Sequence, residues 1–152
     1  LSYFDKKAVM HGGGDTHRLH LDDLALIKDN HLIVAGGISQ AIEKVRNSVS
    51  FSKKIEIEVQ RADEALKAAK AGADIIMLDN VPPREIKETI ALLKKEGFRD
   101  KVLIEASGGI TEQNVLEYAA TGVDIISLGE LTDSVKALDL SLEIVKVRKG
   151  KI

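Results

Sequence analysis

The sequence predicts an α/β protein, an incomplete parallel (β/α) barrel, and three observations carry that expectation. First, Ala73-Asp74-Ile75-Ile76-Met77-Leu78-Asp79-Asn80 is a continuous apolar run of strand length that stops at an acid, the pattern of a strand buried on both faces. Second, the phrase recurs: residues 118–129 overlay residues 68–79 position for position, so that Gly122 and Asp124 repeat Gly72 and Asp74. An internal repeat of this kind marks a repeated βα unit. Third, such short units follow one another along the chain, which suits part of a barrel better than a doubly wound sheet.

Each element has its own reason. Residues 3–10 read as a short helix, ended by Gly12-Gly13-Gly14. Residues 24–28 read as a buried strand with Lys28 at its carboxyl end, and Asp29-Asn30-His31 as its polar tip. Gly36-Gly37 make a turn, and Ser39 is the expected N-cap of a helix that runs to about Asn47 on Ala41, Ile42 and Val45. Residues 54–59 alternate, with Ile55, Ile57 and Val59 on one face and Glu56 and Glu58 on the other. Residues 64–70 form a helix closed by Gly72, and residues 75–79 form the central strand.

Pro82-Pro83 open the next helix, because an early helical position tolerates proline; it runs to Gly97. Residues 102–106 are a strand leading into Ser107-Gly108-Gly109, after which Thr111 is the expected cap of another helix with Asn114 at its third position. Residues 125–128 give the fifth strand, ending at Gly129, and a last helix is expected from about Val135 to Val147.

Composition narrows the class. The chain has 152 residues, 44% hydrophobic and 30% charged, enough for one core, so residues 1–152 are expected to form a single partial barrel domain. A net charge of −2 lacks the basic surplus of a nucleic-acid binder. There is no cysteine, which excludes disulfides and thiolate metal sites, and no apolar run of membrane-spanning length. The first residues lack a signal-peptide profile, so the expected location is cytoplasmic.

In a parallel sheet Lys28, Glu58, Asp79, Ser107 and Gly129 all emerge at one carboxyl edge, where barrels and open α/β sheets build their sites. Ser107-Gly108-Gly109 before a helix suits a phosphate, which backbone N–H groups and a helix N-terminus hold well. Each signal also has a plainer reading: a tight turn, a helix cap, a solvated acid, a surface ion pair. Their conjunction at strand ends of one polarity favours a site. His11, His20 and His31 make no spaced metal set.

Several blocks together resemble a known family. They are Gly12-Gly13-Gly14 with His17-Arg18, Leu26-Ile27-Lys28-Asp29-Asn30-His31, Glu56-Ile57-Glu58-Val59, Met77-Leu78-Asp79-Asn80, Glu105-Ala106-Ser107-Gly108-Gly109, and residues 122–129. In this order they are similar to the successive motifs of the quinolinate phosphoribosyltransferases, also called nicotinate-nucleotide pyrophosphorylases (carboxylating). The resemblance implies an N-terminal domain followed by an incomplete barrel. It also implies transfer of phosphoribose from phosphoribosyl pyrophosphate to quinolinate with Mg²⁺, giving nicotinate mononucleotide, pyrophosphate and CO₂ for NAD biosynthesis.

Carried over by motif, His17, Arg18 and Lys28 would hold the quinolinate carboxylates, Glu58 and Asp79 would face the ribose and the Mg²⁺ pyrophosphate, and Ser107, Gly108 and Gly129 would grip the 5′-phosphate. Lys28, Glu58 and Asp79 are the expected catalytic set. No residue is expected to ligate the metal directly, which would be met through substrate and water. The family also implies a homodimer or larger homo-oligomer in which the partner's N-terminal domain closes the barrel mouth.

His20 stands where the family commonly has glycine. The family's N-terminal domain, and a first barrel strand ending in Thr-Arg-Lys, would lie ahead of Leu1, so the chain is expected to be a fragment that is inactive alone. A non-catalytic barrel piece that binds phosphate or dicarboxylate ligands, or serves as an assembly partner, is the alternative. Lys28 argues against the related molybdenum-associated branch, which usually lacks that lysine.

Overall fold

The computed structural model describes residues 2–146. Five parallel strands, β1 (Ala25–Ile27), β2 (Ile55–Val59), β3 (Ile75–Asp79), β4 (Leu103–Ser107) and β5 (Ile125–Ile126), lie side by side in chain order. Every neighbouring pair is parallel, with Ile27 opposite Ile57, Glu58 opposite Met77, Asp79 opposite Ser107 and Ala106 opposite Ile126. Helices α1 (Ser2–His11), α2 (Asp29–Ala35), α3 (Ile38–Ser48), α4 (Ala62–Ala71), α5 (Pro83–Lys95), α6 (Val115–Ala119) and α7 (Glu130–Asp133) connect or flank the strands, with a 3₁₀ turn at Arg99–Lys101. Among the described residues no helix is long and apolar enough to cross a membrane.

Period-two alternation divides each strand between two environments. Ile55, Ile57 and Val59 of β2, Ile76 and Leu78 of β3, and Ile104 and Ala106 of β4 join one apolar cluster with Ala41 and Ile42 of α3, Ala65 and Ala68 of α4, and Ile86 and Leu93 of α5. Each fully buried Ile or Leu there contributes roughly 1.5–3 kcal/mol. The intervening residues face the concave side. Ile75, Met77, Glu56 and Glu105 are buried without belonging to the cluster. The alternation of β2 therefore means a helix-covered face and an interior face, rather than a core face and a solvated one.

The internal repeat reappears as a repeated clasp at the amino ends of the strands. Arg46 Nη2 donates to Asp74 Oδ2 at 2.7 Å and to the Gly72 carbonyl at 3.0 Å, while Asp74 Oδ2 accepts the Ile55 N–H at 2.7 Å. Arg99 Nη2 donates to Asp124 Oδ1 at 2.8 Å and to the Gly122 carbonyl at 3.0 Å, while Asp124 Oδ2 accepts the Ile104 N–H at 2.8 Å. Gly72 and Gly122 end the preceding helical turns at φ of 90° and 91°, a region that a residue with a Cβ enters only at a cost.

Some elements depart from expectation. Residues 29–35 form α2 rather than a polar tip, because His31 Nδ1 accepts the Lys28 N–H at 2.9 Å and caps the first turn. Helix α3 begins at Ile38 behind Gly37, not behind Ser39. After Thr111 the chain makes a turn before α6; Asn114 Oδ1 accepts the Thr111 N–H at 2.8 Å and its amide donates to the Gly109 carbonyl at 3.1 Å. The helix expected from Val135 to Val147 is not formed over residues 135–146, which carry no regular structure, and Val147 lies outside the described residues. Val135, Leu138, Leu142 and Val145 are 67–95% exposed, and an isolated helix of that length with no apolar surface to cover is marginal in water.

Candidate functional site

Two cavities adjoin at the carboxyl edge of the sheet. One, of about 330 Å³, is lined by Lys28, Asp29, Leu32, Glu58, Val59, Gln60, Glu64 and Asp79. The other, of about 410 Å³, is lined by residues 107–111, Ser127, Gly129, Glu130, Asp133 and Ser134. Asp79 of the first lies opposite Ser107 of the second where β3 pairs with β4, and the Asn80 N–H donates to the Ser107 carbonyl at 2.8 Å. Lys28, Glu58 and Asp79 thus line one cavity, and Ser107 and Gly129 the other.

In the first cavity Lys28 Nζ lies 2.8 Å from Glu58 Oε1. The Glu58 carboxylate holds the Lys28 ammonium above its usual range against burial, while Arg18 opposes and Asp79 adds to that effect. Arg18 therefore lies within electrostatic reach of this cavity. Asp79 Oδ2 accepts the Asn80 side-chain N–H at 3.0 Å. The grouping offers cations for a dianionic ligand next to two carboxylates.

The second cavity is shaped by glycine. Gly108 has φ of 89°, and a Cβ there would stand 2.4 Å from Asn80 Oδ1; Gly129, preceding α7, would set a Cβ 2.7 Å from Asp133 Oδ2. Backbone rather than side chain thus forms the wall at Gly108, as a close-fitting anion requires. Glu130 and Asp133 line the same cavity and set its negative side.

His17 reaches two buried acids. Its φ is 54°, its own N–H donates to Asp15 Oδ1 at 2.8 Å, and its ring enters the concave side of the sheet. There Nε2 lies 3.3 Å from Glu105 Oε2 and 3.5 Å from Glu56 Oε2. Hydrogen bonding to Glu105, then the close approach of the Glu56 carboxylate, and the field of both acids outweigh burial and raise the imidazole from 6.5 to about 10. At 3.5 Å no hydrogen bond to Glu56 satisfies ordinary geometry, and both Glu56 oxygens are buried and unbonded. The single Nε2–H belongs to Glu105, and Glu56 is held by charge alone. Glu105 also accepts the Ser127 hydroxyl at 2.5 Å.

Glu56, Glu105, Ser127 and Asn80 are site residues that sequence reasoning did not single out. A signal existed for the two acids, since counting back two positions from Glu58 and from Ser107 reaches Glu56 and Glu105 on the same strand faces. Among the described residues His17, Glu56 and Glu105 also have metal-ligand spacing, their donor atoms lying within 4.8 Å of one another. The imidazole, raised above its ordinary value by the two acids, forms an ion cluster with them.

The family model described as quinolinate phosphoribosyl transferase, C-terminal domain, matches residues 1–143. The chain is 54% identical over 144 residues to a probable nicotinate-nucleotide pyrophosphorylase (carboxylating) of Methanothermobacter thermautotrophicus, covering 95% of the chain and 52% of the relative. Identity to the nicotinate-nucleotide pyrophosphorylase (carboxylating) of Rattus norvegicus is 43% over 140 residues, covering 92% and 46%. The crystal structure of NadC from Streptococcus pyogenes superposes with a TM-score of 0.86 at 38% identity, over 94% of this chain and 48% of that one. The chain spans about half the length of the curated relatives it matches. By sequence and by fold, the chain belongs to the quinolinate phosphoribosyl transferase family, whose C-terminal domain it matches.

Proposed function

We propose that the chain supplies the barrel half of a carboxylating nicotinate-nucleotide pyrophosphorylase, an enzyme of NAD biosynthesis. The observation that carries this is the adjacency, at the Asp79–Ser107 pairing, of a cavity with Lys28, Glu58 and Asp79 to one walled by Gly108 and Gly129. In this reading Arg18, Lys28 and the charged His17 bind the quinolinate carboxylates, and Ser107, Gly108 and Gly129 hold the 5′-phosphate of phosphoribosyl pyrophosphate. The pyridine nitrogen forms a bond to ribose C1 as the C1–O bond breaks and pyrophosphate leaves with the electron pair. Glu58 and Asp79 oppose the positive charge that builds at C1, and preorganised carboxylates lower such a transition state. The C2 carboxyl then departs as CO₂, and the electron pair left on the ring is protonated.

Glu58 and Asp79 present hard oxygen donors at one cavity, the donor type that suits Mg²⁺. When bound with the pyrophosphate, the ion would neutralise the leaving group. A second copy of the protein is part of the proposal: Tyr3, Phe4 and Met10 of α1, and separately Leu138, Leu140 and Leu142, are exposed apolar side chains of the kind that subunit contacts cover.

The test is release of CO₂ from carboxyl-labelled quinolinate with phosphoribosyl pyrophosphate and Mg²⁺. It is run on the chain alone and on the chain joined behind the amino-terminal half of the Methanothermobacter relative. Turnover is expected from the fusion, with the chain alone at least about a hundredfold slower, since groups facing a transition state commonly carry such factors. A fusion that folds and releases no CO₂ sinks the reading.

A further inference from the structure

We infer that Glu105, backed by Glu56, is a positioning residue that fixes His17 as an imidazolium, with Nε2–H committed to the barrel interior and Nδ1–H left as a donor for a ligand carboxylate. The inference rests on the proposed quinolinate reading for its ligand, and on geometry for the rest. A neutral imidazole has one N–H and one lone pair. With Nε2–H given to Glu105 at 3.3 Å, a neutral ring keeps its lone pair on Nδ1, which would repel a carboxylate approaching that edge. The second proton converts that edge from acceptor to donor.

The surroundings enforce the second proton. Glu56 and Glu105 are fully buried, and Glu56 has no hydrogen-bond donor on either oxygen, so His17 is the cation that both carboxylates share. Removing its charge would leave two buried anions without a counterion, which is strongly unfavourable. The Ser127 hydroxyl, just past β5, fixes the Glu105 carboxylate through Oε1, and Asp15 fixes the His17 backbone at its positive φ. Glu105 and Glu56 are the charged groups that act on His17, while Arg18, Glu58 and Asp79 act on Lys28. A ligand dicarboxylate would meet a fixed positive charge instead of one that titrates near neutrality.

Two measurements test this: NMR titration of the His17 ring of the chain from pH 5 to 10, and calorimetric titration of the fusion described above with quinolinate at pH 6 and pH 8.5, each with the chain's own sequence and with the variants below. The unsubstituted chain should hold His17 charged through pH 8, and its fusion should bind quinolinate with less than about a threefold change in Kd between the two pH values. In the Glu56→Gln/Glu105→Gln variant, the ring should titrate close to the ordinary value of about 6.5. Its quinolinate Kd should match the parent at pH 6 and rise roughly tenfold or more at pH 8.5, the weight of one charge-assisted hydrogen bond. Glu105→Gln alone should fall between. A merely structural role for the acids would weaken binding equally at both pH values, and that result overturns the inference. So does a His17 that titrates near 6.5 in the unsubstituted chain. A His17 that stays charged while the fusion binds no quinolinate overturns the ligand assignment and the proposed function with it, leaving the charge state of His17 as measured.

Discussion

Lys28 Nζ and Glu58 Oε1 meet at 2.8 Å across the first two strands, and the pair stands beside Asp79 in the same cavity. Lys28 is half exposed, and pairs of that kind add only about 0–1 kcal/mol to stability. A ligand carboxylate reaching Lys28 has to compete with Glu58 for the ammonium. Lys28→Ala should therefore leave unfolding free energy within about 1 kcal/mol of the parent. Quinolinate binding should weaken by roughly tenfold or more. Glu58→Gln should do the opposite, tightening quinolinate binding by freeing the lysine while lowering turnover in the fusion by removing charge from the ribose side. Denaturant unfolding and calorimetry on the same samples check this; a large stability loss in Lys28→Ala would make the pair a fold element.

Gly108→Ala should abolish the phosphate fit. The substitution faces two obstacles, a φ of 89° and an Asn80 side chain whose Oδ1 would stand 2.4 Å from the new carbon. Asn80→Ala removes only the second, so Gly108→Ala/Asn80→Ala should recover part of the lost stability while phosphate affinity stays low. The expected cost of the single change is about 1–3 kcal/mol, typical of a side chain forced into a positive φ. Full recovery of affinity in the double variant would mean that the clash alone matters.

How much of this was legible in the sequence depends on the scale at which a residue acts. The five strands and their shared polarity follow from local apolar patterns, because helix-covered strands need Ile55, Ile57, Ile76, Leu78 and Ile104 whatever else the chain does. Helix α2 was hidden because Lys28, Asp29 and His31 look like loop chemistry, yet the Lys28 N–H and His31 Nδ1 close its first turn. The stretch 135–146 has helical spacing, but spacing cannot report whether a surface exists to cover it. Lys28, Glu58 and Asp79 were legible because strand ends are local. The place of His17 was not, since its partner Glu105 lies 88 positions away and only the barrel's curvature brings them together.

Stability should fall as pH rises from about 6.5 toward about 10. The His17 imidazole is raised from 6.5 to about 10 by Glu105, then Glu56, so its folded form holds the proton more tightly than the unfolded chain does. That contribution is complete below the unfolded value and is lost as pH climbs through the folded one. His17→Gln should show a lower stability at pH 6 and a flatter profile across this window. Urea midpoints measured at half-unit steps from pH 6 to 10 check it; parallel profiles for the two proteins would count against the ion cluster.

The repeated clasp gives the last expectation, which compares two copies of one device. Asp124 accepts Arg99 Nη2 and the Ile104 N–H, both at 2.8 Å, and its own N–H donates to the Ile104 carbonyl at 2.9 Å, so one side chain fixes the register of β5 on β4. Burial pushes its carboxyl upward, but the Arg99 guanidinium and the Ile104 N–H outweigh that and hold it below the usual carboxylate range. Its contribution is therefore present above about pH 4, the ordinary aspartate value, and is lost as pH falls through the depressed one. Asp124→Ala removes two charge-assisted acceptors and should cost about 2–3 kcal/mol at pH 7, whereas Asp124→Asn keeps an acceptor for the Ile104 N–H and should cost roughly half as much. Asp74 makes the equivalent bonds to Arg46 and Ile55 at 2.7 Å, but that pair is 38–39% exposed against 21–29% for Arg99 and Asp124. Water and salt screen it more, so Asp74→Ala should cost less than Asp124→Ala and should respond more to added salt. Urea unfolding of the three variants at low and high salt decides the matter. Equal losses at both sites, or a loss below about 0.5 kcal/mol for Asp124→Ala, would mean that strand pairing rather than the clasp sets the register.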